Sequence, residues 1–131
     1  MTLVVDASAM VAAFTDDGPE GHWAIGVIRR GGLAAPDHVH VESAQTIRRS
    51  ELAGRISAAE AALADAALLR APIRLHAYSS LADRVWELRH SVSAYDAAYV
   101  ALAEALDAPL VTLDRRLMRA HGPRCAFLTL G

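Results

Sequence analysis

The sequence predicts a single α/β domain: a central, mostly parallel sheet sandwiched between layers of helices. Three observations predict it. Short apolar runs alternate with longer helical segments along all 131 residues. Those short runs are continuously apolar rather than alternating, the pattern of strands buried on both faces. Two of them, Val4-Val5-Asp6 and Val111-Thr112-Leu113-Asp114, end on an aspartate. In such sheets ligands sit beyond the carboxyl ends of the strands, so Asp6 and Asp114 are expected on one edge.

Taken in order, Leu3-Val4-Val5 is the first buried strand, rich in β-branched residues. Ala7–Phe14 reads as a short helix, closed by the turn Asp16-Asp17-Gly18-Pro19. Glu20–Arg30 is a second helix, stopped by Gly31-Gly32. Leu33–Ala35 is a brief strand before Pro36, and His38–Ala53 a helix ended by Gly54. Ser57-Ala58-Ala59-Glu60 is a capping box opening a helix that runs to about Arg70. Pro72–His76 is a strand and Ser80–His90 a helix. Ser93 caps the helix that continues to Leu106. Pro109–Leu113 is a strand, Arg115–Ala120 a short helix, and Ala126–Leu130 the last strand.

Composition bounds the function. The chain is 53% hydrophobic but only 5% aromatic, which suits helices with small side chains better than an aromatic-rich β-sandwich. Its length fits one domain, residues 1–131. A formal charge of −2 excludes a protein that coats nucleic acid through net charge, though not a local basic face. Cys125 is the lone cysteine, so neither an intrachain disulfide nor a thiolate zinc site forms. The N-terminus lacks a basic signal-peptide region. The most apolar stretch, Tyr95–Leu106, is interrupted by Asp96 and Glu104, so no membrane span is expected. A cytoplasmic protein follows.

The acids carry the chemistry. Asp6 precedes a helix and can serve as its N-cap, commonly worth ~1 kcal/mol; Asp114 has the same option. Cap and metal ligand are compatible roles. Asp96 stands at the start of a helix, Ala97–Ala103, that is apolar nearly all round and therefore buried. A charge at its margin needs a partner. Glu42, between Val41 and Ser43, favours the dipole at its helix start, and nothing in its surroundings singles it out.

Together the segments Val4–Ala9, Val41–Ala44, Ser93–Ala103 and Pro109–Leu117 resemble the PIN-domain ribonucleases, and specifically the VapC toxins, in order and spacing over nearly the whole chain. The resemblance implies a PIN-like three-layer sandwich with a five-stranded sheet, and metal binding by Asp6, Glu42, Asp96 and Asp114. It implies RNA hydrolysis leaving a 5′-phosphate and a 3′-hydroxyl, a homodimer, and inhibition by a cognate VapB-type antitoxin. Asp6 and Asp96 match the principal ligands; Glu42 and Asp114 match further ligands or water-positioning groups. The physics agrees with the resemblance. Carboxylates about 5 Å apart repel by ~3 kcal/mol per pair at an effective dielectric near 20. They stay ionised together only beside a cation, and all-oxygen ligation suits Mg²⁺, with Mn²⁺ able to substitute.

Around these acids, Ser8 and Thr112 are placed to orient ligands or to cap and pack. Arg115, Arg116 and Arg119 either hold substrate phosphates or form a solvated helix face. Arg29-Arg30 and Arg48-Arg49 read as surface pairs, and Trp23 and Trp86 as core or interface anchors. His38-x-His40-x-Glu42 offers a rival metal motif, but on a helix residues two apart do not share a face. A phosphoacceptor receiver domain needs a Lys, and the chain has none. A haloacid-type phosphatase needs Asp-x-Asp where Asp6-Ala7-Ser8 stands. The remaining alternatives are a PIN-like nuclease that is not a toxin, and a module that binds RNA or a partner without cutting.

Overall fold

A computed structural model describes residues 1–130. Its strands are β1 (Thr2–Val5), β2 (Gly32–Pro36), β3 (Ile73–His76), β4 (Leu110–Val111) and β5 (Phe127–Leu128). The helices are α1 (Ala7–Thr15), α2 (Pro19–Ile28), α3 (Val39–Leu52), α4 (Ala58–Arg70), α5 (Ala82–Glu87), α6 (Ala94–Leu106) and α7 (Arg115–Arg119). All five strands are parallel, in the order β3-β2-β1-β4-β5. The α/β sandwich expected from the apolar runs is the one observed, with the sheet wholly rather than mostly parallel.

The strand order follows from the crossovers. Parallel strands joined through helices cross right-handedly. The chain therefore lays β2 and β3 to one side of β1, then returns past β1 to place β4 and β5 on the other. Helices α1 to α4 pack on one another, and α6 packs on β1 and β2 with α5 beside it. Reversing direction in this way leaves a crevice beyond the ends of β1 and β4, where no crossover covers them. Such a switch point is where open α/β sheets bind ligands.

The core explains why the chain holds this shape. Leu3, Val4 and Val5 of β1 are completely buried, and so are Leu110 and Val111 of β4. From α6, Ala97, Ala98, Tyr99 and Val100 have no exposure either, so this helix is apolar all round because it lies inside. Its small alanines let it approach the sheet closely. Ser57 and Glu60 form the reciprocal capping box expected for α4. Gly21 sits where α2 passes over the α1–α2 turn; a Cβ there would lie 1.8 Å from the Asp16 carbonyl oxygen.

Three local readings are corrected. The helix expected over Ser80–His90 is a 3₁₀ turn, Tyr78–Ser80, followed by the shorter α5. No side chain caps the start of α5, and the chain turns at Leu88. Edge strand β3 is half exposed rather than buried on both faces, which accommodates Arg74. Trp86 is not a core anchor: it is 67% exposed, with the Arg89 guanidinium 4.6 Å from its ring centre. Trp23, in contrast, packs partly buried against the core.

Candidate active site

Asp6 follows the last residue of β1 and caps α1, its Oδ1 accepting from the Ala9 N–H at 3.0 Å. The Ser8 hydroxyl donates to the same oxygen at 2.6 Å, and the Thr112 hydroxyl donates to Oδ2. Both hydroxyl oxygens are in turn held by backbone from the β4 end. Leu113 N–H donates to Ser8 Oγ at 3.1 Å, and Asp114 N–H to Thr112 Oγ1 at 3.0 Å. Each hydroxyl proton is thereby directed onto the carboxylate, and the two strand ends are stitched together through it. Burial nevertheless dominates and pushes the Asp6 carboxyl up to about 6. The three donors pull it back down and the nearby Asp96 charge adds to the rise.

Asp96 lies in the first turn of α6. Its backbone N–H donates to Ser93 Oγ at 3.2 Å, so Ser93 is the N-cap that opens the helix. The Asp96 carboxyl is half-buried and lies above the usual carboxylate range, first through burial, then through the charges of Glu42 and Asp114. Asp114 caps α7, accepting from Arg116 N–H at 2.9 Å and Leu117 N–H at 3.3 Å, both through Oδ1. Glu42, one turn into α3, accepts from the Tyr99 hydroxyl at 2.6 Å, and His38 Nε2 stands 3.9 Å from the same Oε1. The Tyr99 hydroxyl is pushed up by burial and then by Glu42.

The four acids therefore line one cavity of about 610 Å³ beyond the β1 and β4 ends. Ser8 lines it too, while Thr112 lies buried beneath. Arg115 and Arg116 are exposed and lie outside the cavity wall. Arg116 serves Asp114 through its backbone. Sequence reasoning gave no site role to several residues of this wall, Tyr99, His38 and Arg49 among them. Tyr99 reads as one more apolar position of α6, His38 as half of a rival motif, and Arg49 as a surface charge; all three face the cavity. The His38-x-His40-x-Glu42 arrangement does not form, since His40 is absent from the cavity wall.

Among the described residues, no three Asp, Glu, His or Cys side chains converge closely enough to enclose an ion as they stand. The chemistry of the donor set fits one all the same. Four carboxylates share a cavity, and none of them is ion-paired with an arginine among the described residues. Two are pushed up in part by the charges of the others. A hard divalent cation is the partner that all-oxygen clusters of this kind accept.

Comparison with known proteins identifies the family. The model of the PIN domain matches residues 3–122. The chain is 40% identical to VapC ribonuclease Mb0985 of Mycobacterium bovis over 123 residues, covering 94% of each chain. It is 39% identical to ribonuclease VapC1 of Mycobacterium tuberculosis, covering 93% of this chain and 92% of the relative. Among solved structures, VapC20 of M. tuberculosis, described as a toxin that cleaves the sarcin-ricin loop, superposes with a TM-score of 0.68. It is 20% identical, with 89% of this chain and 93% of that one covered. VapBC2 of Rickettsia felis, solved bound to a fragment of promoter DNA, superposes with a TM-score of 0.68 at 14% identity, with 98% of both chains covered. These two share the fold. The domain match and the sequence relatives establish that this chain belongs to the PIN-domain family, among the VapC ribonucleases.

Proposed function

We propose that the protein is a Mg²⁺-dependent endoribonuclease, the toxin of a type II toxin–antitoxin pair, and that Asp6, Glu42, Asp96 and Asp114 form its active site. One observation carries the reading: four carboxylates line a single cavity at the β1–β4 switch point, with no arginine paired to them among the described residues. Asp6 and Asp96 are the principal ligands; Glu42 and Asp114 complete the ligation or orient the attacking water. Mn²⁺ substitutes for Mg²⁺ at such a site. The cation, when bound, supplies the charge that activates water and stabilises the leaving oxygen of a phosphodiester. The chain's own contribution is preorganisation. Ser8 and Thr112 direct hydroxyl protons at Asp6 and fix its orientation, and Tyr99 does the same for Glu42. Hydrolysis leaves a 5′-phosphate and a 3′-hydroxyl.

Regulation follows from the site's charge. An anionic cavity without restraint of its own is blocked by a basic side chain, most effectively an arginine, which competes with Mg²⁺ for the same carboxylates. A VapB-type antitoxin, encoded beside the toxin, is the expected carrier. The test is expression of the protein alone and with its neighbouring gene, scoring growth and mapping new RNA 5′ ends. Growth arrest with discrete 5′ ends, relieved by the partner, supports the proposal. Harmless expression of a protein that cleaves RNA in vitro refutes the toxin role and leaves a PIN nuclease of another purpose.

A further inference from the structure

The active-site cavity extends well past the carboxylates, and its far part has a different chemistry. Along α3 the side chains facing it are Glu42 and Val41, then Gln45 and Thr46, then Arg49. These positions fall on one helix face because they recur at intervals of three and four. Glu42 and Arg49 are seven residues apart, two turns or about 10 Å along the axis. Arg49 is the only Arg or Lys lining the cavity, is exposed, and has no salt bridge among the described residues. Across from α3, Tyr95 projects from the start of α6 with 67% of its surface exposed. Its ring meets the edge of His38 at 5.9 Å, and His38 in turn meets Tyr99 at 5.0 Å. Val41, 69% exposed, lines the same cavity.

From this arrangement we infer a nucleotide subsite next to the scissile phosphate, in which Arg49 takes a neighbouring backbone phosphate and Tyr95 stacks an unpaired nucleobase. It rests on the nuclease reading above and deepens it. A polyanion approaching four carboxylates needs a compensating cation on its path, and Arg49 is the one the cavity wall supplies. An exposed aromatic ring beside a phosphate-binding group is the means by which proteins hold single-stranded nucleic acid. A cavity of about 610 Å³ lies in the range of small-ligand pockets, room for one extruded nucleotide. RNA loops and ends present such splayed bases. Gln45, with an amide that both donates and accepts, lines the same wall one helical turn before Arg49 and is assigned the base edge. The subsite names Arg49, Tyr95 and Gln45 as determinants of this enzyme's sequence preference.

The experiment uses a fluorescein-labelled single-stranded RNA ten-mer of randomised sequence. Binding is read by anisotropy in an Asp96→Asn background, and cleavage is read in the otherwise wild-type enzyme with Mg²⁺. Arg49→Gln removes one phosphate contact. It should weaken binding about fivefold at 0.1 M salt and lower the slope of log K against log salt by about 0.7. Tyr95→Ala should weaken binding between about 5- and 100-fold, and Tyr95→Phe should restore it. Gln45→Ala should alter the base preference among cleaved sequences in the pool. Arg70→Gln is the charge control: Arg70 ends α4 just ahead of β3, at the opposite edge of the sheet, and should leave both readouts unchanged. Cleavage by wild type with unaltered binding by Arg49→Gln and Tyr95→Ala overturns the subsite and leaves the nuclease intact. Weakened binding of the antitoxin without change toward RNA also overturns it, making this wall a protein-docking surface. Failure of the wild type to cut any RNA overturns the nuclease reading and the subsite with it.

Discussion

Replacing Asp6 with Asn should stabilise the metal-free protein at neutral pH while removing its activity. The carboxyl is almost wholly buried, and its folded pKa rises from 3.8 to about 6, chiefly through that burial. That gap corresponds to about 3 kcal/mol of destabilisation once the group is ionised in both states. For an acid raised on folding, the native state binds the extra proton between the two values. The stability is fully present below pH 3.8 and is lost as pH climbs through about 6. Asn removes the charge and can keep an oxygen where Oδ1 accepts from Ser8 and Ala9. Its amide nitrogen then faces Thr112, whose hydroxyl loses its acceptor at a cost of about 1 kcal/mol. The net gain is about 2 kcal/mol at pH 7.5. At ~2.1 cal/mol/K per residue for a chain of this size, that raises Tm by about 7 °C. At pH 4.5 the folded wild-type group is already protonated, the penalty falls to about 1 kcal/mol, and the lost Thr112 bond cancels the gain. Thermal melts of both proteins in chelator, at pH 4.5 and 7.5, measure this directly. Adding Mg²⁺ should then stabilise wild type by mass action and Asp6→Asn far less. An Asp6→Asn protein that melts below wild type at pH 7.5 in chelator would refute the reasoning, and would make Asp6 a helix cap first.

Other perturbations test the remaining parts. Asp96→Asn should abolish cleavage with an unchanged far-ultraviolet circular dichroism spectrum, since Ser93 rather than Asp96 caps α6; normal turnover would make Asp96 a bystander. Tyr99→Phe should cost about 10- to 100-fold in activity by freeing Glu42, together with about 1 kcal/mol of stability. If stability falls and kinetics do not, Tyr99 is only a core residue. The chain leaves Leu52, Leu63, Leu69 and Trp86 more than half exposed, and the family resemblance implies a homodimer. Sedimentation at micromolar concentration should therefore give twice the 14.0 kDa chain mass, and a monomer would contradict it.

How much of this the sequence reveals depends on whether a residue's signal is local. Asp6 and Asp114 are visible because each terminates an apolar strand and opens a helix, and both are N-caps in the fold. Asp96 is visible because a helix apolar all round has to be buried. Glu42 has no such mark, and only family resemblance points to it. What identifies it in the fold is the Tyr99 hydroxyl, 57 residues away in sequence. The same distance hides Tyr99, whose ring satisfies the apolar pattern and whose hydroxyl works elsewhere. Arg49 is hidden for the opposite reason. It is exposed, as a surface pair should be, but the α3 face it occupies is the wall of the cavity. Strand ends are also poorly visible. β4 closes at Val111 rather than Leu113: Thr112 N–H still donates to the Leu128 carbonyl of β5, but the Leu113 and Asp114 N–H groups go to the Ser8 and Thr112 hydroxyls instead.

The central claim is that RNA cleavage depends on a divalent cation held by these carboxylates. Its most direct test is cleavage of a single-stranded RNA by protein stripped of metal, in excess chelator, followed by stepwise return of Mg²⁺ or Mn²⁺. The account predicts no cleavage in chelator, saturable recovery with either ion, and no recovery for Asp6→Asn or Asp96→Asn at the same concentrations. Full cleavage by the stripped protein would contradict it.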